Sequence, residues 1–219
     1  MILKKFGNFV FHKSLCRYKE YNKDKLKNKN YILCPNHTSD LDGPVFWSSI
    51  ENISIMAKKE CFQNKIMANF FEKINVVSVD REKKNGSEMR QAIRYLEESK
   101  ENNRIYMLFP QGTISDINKN TIKRIKPGAF YIADAAKVPI VPVFIEQPRV
   151  FKKSRIVYGN EIEVNIRDEK NKIDKEKLLN IRNLWKEEVL RLQQEAIDRE
   201  KRPIRKIKLK EKHRNNNDL

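Results

Sequence analysis

The segment YILCPNHTSDLD, residues 31–42, starts with an apolar run and then breaks at a Pro-Asn pair. A short apolar run that ends at such a break predicts a buried strand followed by a turn. We expect Ser39 or Asp40 to begin a helix that continues through the apolar residues up to Trp47. His37 therefore lies at a strand-to-helix corner, which is where α/β sheets collect functional residues.

Asp42 follows His37 by five positions and falls in the first turn of the predicted helix. Its carboxylate can accept a hydrogen bond from one imidazole nitrogen, which fixes the tautomer and leaves the other nitrogen as a general base. The alternative is a histidine that local turn hydrogen bonds satisfy. The pair by itself does not decide between these two interpretations.

Strand-like and helical stretches alternate along the rest of the chain. The predicted strands are 31–34, 53–57, 74–79, 105–109 and 140–145, with shorter ones near 155–158 and 162–166. The predicted helices are 43–50, 60–73, 86–100 and 128–136, followed by a long C-terminal helix from about Lys175. This alternation predicts a single α/β domain over residues 31–198, with a largely parallel central sheet flanked by helices.

Composition limits the class of protein. A length of 219 residues fits one domain with a substantial core. No apolar run is long enough to span a bilayer, and no signal peptide is visible. Three cysteines without metal-like spacing favour a reducing cytosol, and we expect neither a disulfide framework nor a catalytic metal. Cys34 falls inside a predicted strand and is expected to be a core residue.

The net charge of +17 indicates a polyanionic partner, either nucleic acid or an anionic membrane face. Nine basic and two acidic residues lie between Arg199 and Arg214, so residues 199–219 are expected to form a basic, disordered tail. Such a tail is compatible with simple solvation and with contact to lipid headgroups. No signature of a nucleic-acid-binding fold is present, so nucleic acid is the less favoured partner.

Residues 1–20 carry apolar side chains at roughly helical spacing, interleaved with lysine and arginine. This pattern predicts an amphipathic N-terminal helix that lies in a membrane interface. It fits equally well a helix that packs on its own domain.

The His37-to-Asp42 spacing resembles the HxxxxD block of the glycerolipid acyltransferases, and most closely the bacterial lysophosphatidate acyltransferase (PlsC-like) family. A second block, FPQGTIS at residues 109–115, is similar to the FPEGTRS motif of that family. It differs where Gln111 replaces the glutamate and Ile114 replaces the arginine. The family assigns that arginine to the phosphate of the lipid acceptor, which an isoleucine cannot bind.

Further blocks resemble the family in the same order along the chain. Residues 76–81 end on Arg81, the arginine of the second motif, and residues 126–129 resemble a lysine-glycine segment. Residues 138–143 resemble the VPIVPV block, in which Pro142 predicts an edge strand or a bulge. The resemblance covers roughly residues 31–145.

The resemblance implies an enzyme that moves a fatty acyl group from an acyl thioester to the free hydroxyl of lysophosphatidate. His37 would be the general base and Asp42 its orienting partner, with backbone N–H groups near Gly112 or the first helix steadying the oxyanion. The implied substrate-binding residues are Arg81, Gln111, Gly112, Thr113 and Lys126.

The donor would be acyl-CoA or acyl carrier protein, and no cofactor or metal would be needed because a thioester is already activated. The enzyme would act peripherally at the cytoplasmic face of an anionic membrane. Two alternatives stay open: the same chemistry on another lysolipid or hydroxyl acceptor, and a basic nucleic-acid-binding protein.

Overall fold

The computed structural model describes residues 5, 7–9, 17–27, 29–58, 76–79, 86–98, 103–115, 125–149 and 151–207. The predicted helix over residues 60–73, the candidate ligand Arg81 and the end of the basic tail lie outside these residues.

The described residues form a seven-stranded sheet with helices on both faces. The strands are β1 (Tyr18–Tyr21), β2 (Tyr31–Pro35), β3 (Ile53–Lys58), β4 (Val76–Val79), β5 (Ile105–Met107), β6 (Ile140–Ile145) and β7 (Ser154–Tyr158). The helices are a 3-10 turn (Lys23–Lys25), α1 (Asp42–Ser49), α2 (Ser87–Glu97), α3 (Gly128–Ala136) and α4 (Lys175–Glu200).

The strand order is β1-β7-β6-β2-β5-β3-β4, and every described pairing is parallel except β6 with β7. The prediction of a largely parallel α/β sheet is therefore confirmed. Strand β2 lies between β5 and β6, so the carboxyl ends of these three parallel strands meet at one edge. Ligands of open α/β sheets bind at this edge.

Two apolar cores cover the two faces of the sheet. Ile32 and Cys34 of β2 pack with α2, α3 and α4, whereas Tyr31 and Leu33 pack with α1. Successive side chains of a strand point to opposite faces, so β2 has to be apolar throughout to fill both cores. On α4, the buried Trp185 donates its Nε1–H to the Cys34 carbonyl at 2.9 Å, which fixes this end of β2.

Three local expectations differ from the structure. Pro142 lies in the interior strand β6, so the edge-strand alternative is wrong, whereas the one-residue shift in register between the Val143–Tyr158 and Ile140–Ile162 pairs agrees with the bulge alternative. Residues 18–21 form a strand rather than the end of the predicted N-terminal helix. No separate strand forms over residues 162–166, where Ile162 makes only an isolated bridge to Ile140.

The segment after α4 also differs from its prediction. Helix α4 continues to Glu200, and residues after it bond to the segment 146–155, so residues 201–207 do not form the predicted disordered tail. The cause is the buried Glu146, which accepts hydrogen bonds from the side chain of Arg202 and the backbone N–H of Arg205. The buried Arg155 donates to the carbonyl groups of Arg202 and Pro203 from the other side.

At the N-terminus, residues 5 and 7–9 are helical. Gly7 is buried against Trp47 and Ser48 of α1, so these residues pack on the domain. Within the described part of the chain, no helix combines the length and the apolar character that a membrane crossing requires.

Candidate active site

His37 follows the carboxyl end of β2 and contacts Asp42 in the first turn of α1. Its Nδ1–H donates to Asp42 Oδ2 at 3.0 Å. The His37 side chain keeps 20% of its surface exposed, while Asp42 is fully buried. Because Nδ1 is held by the carboxylate, Nε2 is the nitrogen left to receive a proton.

The Asp42 carboxylate is fixed by the turn that carries His37. Oδ2 accepts the backbone N–H groups of Thr38 at 2.6 Å and Ser39 at 2.9 Å, and Oδ1 accepts the Thr38 hydroxyl at 2.9 Å. A carboxylate in the first turn also complements the positive end of the helix dipole. The predicted capping by Ser39 or Asp40 is wrong, since the N-cap position is Leu41 and Asp42 itself reaches back to the preceding N–H groups.

The loop after β5 supports His37 from the other side. The ring of Phe109 stacks on the imidazole with the two centroids 4.0 Å apart. Gln111, only 5% exposed, accepts the His37 backbone N–H at 2.8 Å and donates its side-chain amide to Ser115 Oγ at 2.7 Å. The Ser115 N–H donates to the His37 carbonyl at 3.1 Å. Residues 109–115 therefore hold both the ring and the backbone of the histidine.

Gly112 of this loop lies against the side chain of Lys126, which shortly precedes α3. Gly112 has φ +69°, and a Cβ placed there would lie 2.6 Å from Lys126 Cε and 2.8 Å from its Nζ. Glycine is required here both for the backbone conformation and for the close approach of the lysine. The Lys126 N–H also donates to the Pro110 carbonyl at 2.7 Å, which fixes the lysine beside the loop.

The remaining predicted residues have distinct environments. Thr113 is exposed and Ile114 is 8% exposed, so the isoleucine that replaces the family's arginine is a core side chain. The Gly112 N–H donates to the Phe109 carbonyl oxygen. The N–H groups of Thr38 and Ser39 donate to the Asp42 carboxylate. These three N–H groups thus have acceptors inside the protein, and the predicted oxyanion donors near Gly112 or the first helix stay a prediction.

Sequence reasoning missed two residues that position His37. The buried Asn36 exchanges two hydrogen bonds with the backbone of Ile145, at 2.8 Å and 2.7 Å, and so ties the end of β2 to the end of β6. Gln147 donates to the Thr38 carbonyl at 3.0 Å. The role of Asn36 could have been predicted from its position directly after Pro35 at a strand end, where an asparagine side chain commonly bonds the backbone. No sequence pattern indicated the role of Gln147.

Other reactive groups are remote from this chemistry. Cys34 is a buried free thiol, and burial raises its pKa, so it is a core residue as predicted. Among the described residues, no three His, Cys, Asp or Glu side chains are grouped so that they could hold a metal ion.

A buried carboxylate that orients a partly exposed imidazole, at the carboxyl edge of a parallel sheet, is an arrangement typical of enzymes that use a general base. The sequence model of the family described as Acyltransferase matches residues 17–146. The chain belongs to this acyltransferase family, and the resemblance inferred from its motifs is confirmed.

Several relatives carry more specific names. The chain is 32% identical over 145 residues to a 1-acyl-sn-glycerol-3-phosphate acyltransferase of Bacillus subtilis, which covers 63% of this chain and 69% of the relative. It is 30% identical over 187 residues to the protein of the same name from Streptococcus pneumoniae, covering 80% of this chain and 66% of the relative.

The fold is shared with a solved structure. The crystal structure of the 1-acyl-sn-glycerophosphate acyltransferase PlsC from Thermotoga maritima superposes with a TM-score of 0.65 at 22% identity, covering 94% of this chain and 80% of the other.

Proposed function

We propose that the chain transfers a fatty acyl group from an acyl thioester to the free hydroxyl of lysophosphatidate, in phospholipid synthesis. The observation that carries this proposal is the 3.0 Å contact between His37 Nδ1 and Asp42 Oδ2, in a chain of the acyltransferase family. The names of the relatives from B. subtilis and S. pneumoniae support the acceptor.

His37 Nε2 takes the proton of the acceptor hydroxyl as its oxygen attacks the thioester carbonyl carbon. Asp42 holds the ring in the required tautomer and stabilises the imidazolium that forms. The tetrahedral intermediate then expels the thiolate, which recovers the proton from His37, and the products are an ester and a thiol. The thioester is already activated, so the step needs neither a covalent enzyme intermediate nor a cofactor.

Lys126 is the described cation best placed for the acceptor phosphate, because its side chain lies against Gly112 in the loop that supports His37. Thr113, exposed in the same loop, adds a hydroxyl. Gln111 has both ends of its amide engaged with His37 and Ser115, so we assign it a positioning role. Arg81 remains a candidate for the same phosphate from the sequence alone.

A different hydroxyl acceptor is the second candidate. Ile114 favours it, since a buried apolar side chain stands where the family's motif carries the phosphate-binding arginine. The third idea, a basic nucleic-acid-binding protein, has no observation in its favour beyond the net charge of +17.

We propose that the enzyme works at the surface of an anionic membrane, on its cytoplasmic face. Phe9, in the N-terminal helical residues, is 57% exposed, and Leu41, in the loop between His37 and Asp42, is 36% exposed. Exposed apolar side chains combined with a basic surface suit interfacial binding. The donor is acyl-CoA or acyl carrier protein, and a basic surface suits both.

The proposal is tested by acyl transfer from a labelled thioester to a panel of lysolipids, with acyl-CoA and acyl carrier protein as alternative donors. Preferential labelling of lysophosphatidate supports the proposed acceptor, and preferential labelling of another lysolipid supports the alternative. No transfer to any acceptor, together with a salt-sensitive shift of nucleic acid in a gel, would contradict both.

A further inference from the structure

A cavity of about 410 Å³ lies beside the turn that carries His37, on the side of β6. Residues of four segments line it, among them Thr38, Glu146, Gln147, Ile204, Arg205 and Lys206. His37 is not among the lining residues, but both of its chain neighbours, Asn36 and Thr38, are. The cavity is therefore adjacent to the reaction site and separate from Gly112 and Lys126.

The wall of the cavity carries one acidic residue, Glu146, and two basic ones, Arg205 and Lys206, and Glu146 also contacts two arginines that do not line the cavity. Glu146 contacts Arg155 at 2.9 Å, Arg202 at 3.0 Å and Arg205 at 3.6 Å, so one carboxylate faces three guanidinium groups. Arg155 is fully buried and satisfied by Glu146 and by backbone carbonyls. Lys206 adds an exposed cation at the rim.

Arg205 is the guanidinium that lines this cavity, and 17% of its side chain is exposed. Its terminal nitrogens donate to neutral oxygens of Lys153 and Ser154, which orient the group, and it shares the Glu146 carboxylate with Arg155 and Arg202. Burial, opposed by Glu146 and reinforced by the charges of Arg202 and Arg149, lowers the pKa of Arg205. Among the described residues, the buried Nε atoms of Arg149 and Arg205 have no hydrogen-bond acceptor. Even with Glu200, which lies 3.5 Å from Arg202, the three arginines that contact Glu146 hold more positive charge than the two carboxylates balance, and the Arg205 Nε–H lacks an acceptor.

We propose that this cavity binds a phosphate group of a substrate, with Arg205 and Lys206 as its charged ligands. An oriented guanidinium matches the oxygens of phosphate, and a neighbouring ammonium adds a mobile second charge. The phosphate belongs to the thioester donor or to the lipid acceptor. Naming these two sources rests on the proposed acyl transfer, whereas the binding of phosphate in the cavity does not.

The test measures binding of inorganic pyrophosphate by calorimetry to the parent protein, Lys206→Glu and Lys170→Glu. Lys170→Glu makes the same change in charge as Lys206→Glu. It serves as the control because Lys170 is exposed in a turn and does not line the cavity. Losing a charge-assisted contact is expected to raise Kd at least about tenfold in Lys206→Glu. Lys170→Glu should bind like the parent. Absence of binding by the parent, or equal Kd values for the two variants, would overturn the proposal.

Competition identifies the source of the phosphate. Displacement of pyrophosphate by coenzyme A, with a raised KM for acyl-CoA in Lys206→Glu, assigns the cavity to the donor. Displacement by sn-glycerol 3-phosphate, with a raised KM for lysophosphatidate, assigns it to the acceptor. If pyrophosphate binding depends on Lys206 but the parent transfers no acyl group, the proposed function fails and the phosphate site stands.

Discussion

The side-chain oxygen of Gln111 accepts the backbone N–H of His37 at 2.8 Å, across 74 positions of sequence. The same amide donates to Ser115 Oγ at 2.7 Å. Gln111 therefore joins the two motif segments of the site, and the position of His37 depends on the loop after β5 as well as on its own turn. Glutamine suits this place because it offers both an acceptor and a donor.

Replacing Gln111 by leucine leaves the partly buried His37 N–H without its acceptor. We expect a loss of about 1–3 kcal/mol in the free energy of unfolding, which is the cost of an unsatisfied buried group, and a lower kcat. Urea titration and steady-state kinetics measure the two effects.

Replacing Gln111 by glutamate, the residue of the family motif, should preserve activity, since a carboxylate can accept both from His37 and from the rotatable Ser115 hydroxyl. Adding Ser115→Ala should then cost more stability in the glutamate protein than in the parent, because hydrogen bonds to charged groups are stronger. Equal costs in the two backgrounds would contradict a stronger, charge-assisted bond between the introduced glutamate and Ser115.

Asp42→Asn tests orientation with little change in shape. The amide NH₂ can replace Oδ1 and donate to the Thr38 hydroxyl, while its oxygen keeps the three contacts of Oδ2. The fold should survive, but the imidazolium loses its counter-charge, so we expect kcat to fall about 10- to 100-fold. Asp40→Asn changes an exposed carboxylate of the same loop and serves as the control. Equal kcat values for the two variants would contradict the role of Asp42.

Gly112→Ala should displace Lys126, because the new Cβ would lie 2.6 Å from Lys126 Cε. The left-handed backbone adds a penalty of about 1–2 kcal/mol for any residue with a Cβ. We expect a raised KM for lysophosphatidate, matched by Lys126→Met, together with a lower Tm.

The matched control for this substitution is Gly128→Ala in α3, where an added Cβ meets nothing within 4 Å. It should leave KM unchanged. A normal KM in both Gly112→Ala and Lys126→Met would remove Lys126 from the acceptor site.

Acid stability should depend on Glu146. Burial opposes ionisation of this carboxyl, but hydrogen bonds from Arg155 and Arg202 outweigh it and lower its pKa below the ordinary 4.5. A carboxyl whose pKa is lower in the folded state stabilises the fold above its unfolded pKa, and the contribution is lost as pH falls through the folded value. The parent should therefore lose stability below pH 4.5 more steeply than Glu146→Gln, which starts from a lower Tm.

Circular dichroism of thermal unfolding across this pH range makes the comparison. Glu169→Gln, at an exposed position, is the control and should follow the parent. Parallel curves for the parent and Glu146→Gln would contradict the account of the arginine cluster.

The sequence predicted the elements whose pattern is strong and local. Helix α3 and strand β6 have the predicted bounds, Gly128–Ala136 and Ile140–Ile145, because apolar periodicity and flanking Pro or Lys residues mark both ends. Strand β1 was missed, since the sequence YKEY is half charged and becomes a strand only by pairing with β7.

Pro142 shows how an interior strand accommodates a proline, because one extra residue lies opposite it between the Val143–Tyr158 and Ile140–Ile162 pairs. The paired register of β6 with β7 begins at Val143 and Tyr158, so Pro142 lies just beyond that ladder and its missing N–H breaks no bond there. For the site, motif spacing predicted the approach of His37 and Asp42. The contact between Gln111 and His37 depends on two strands meeting in the sheet, which no local pattern encodes.

A single-turnover assay of acyl transfer from a labelled thioester to lysophosphatidate tests whether His37 is the general base. The protein is compared with His37→Gln at equal saturation with both substrates, after thermal unfolding has shown that the variant is folded. We expect the rate of the variant to be lower by roughly 10²–10⁴-fold, the usual contribution of a general base. Transfer by the variant at the rate of the parent would show that His37 is not the base.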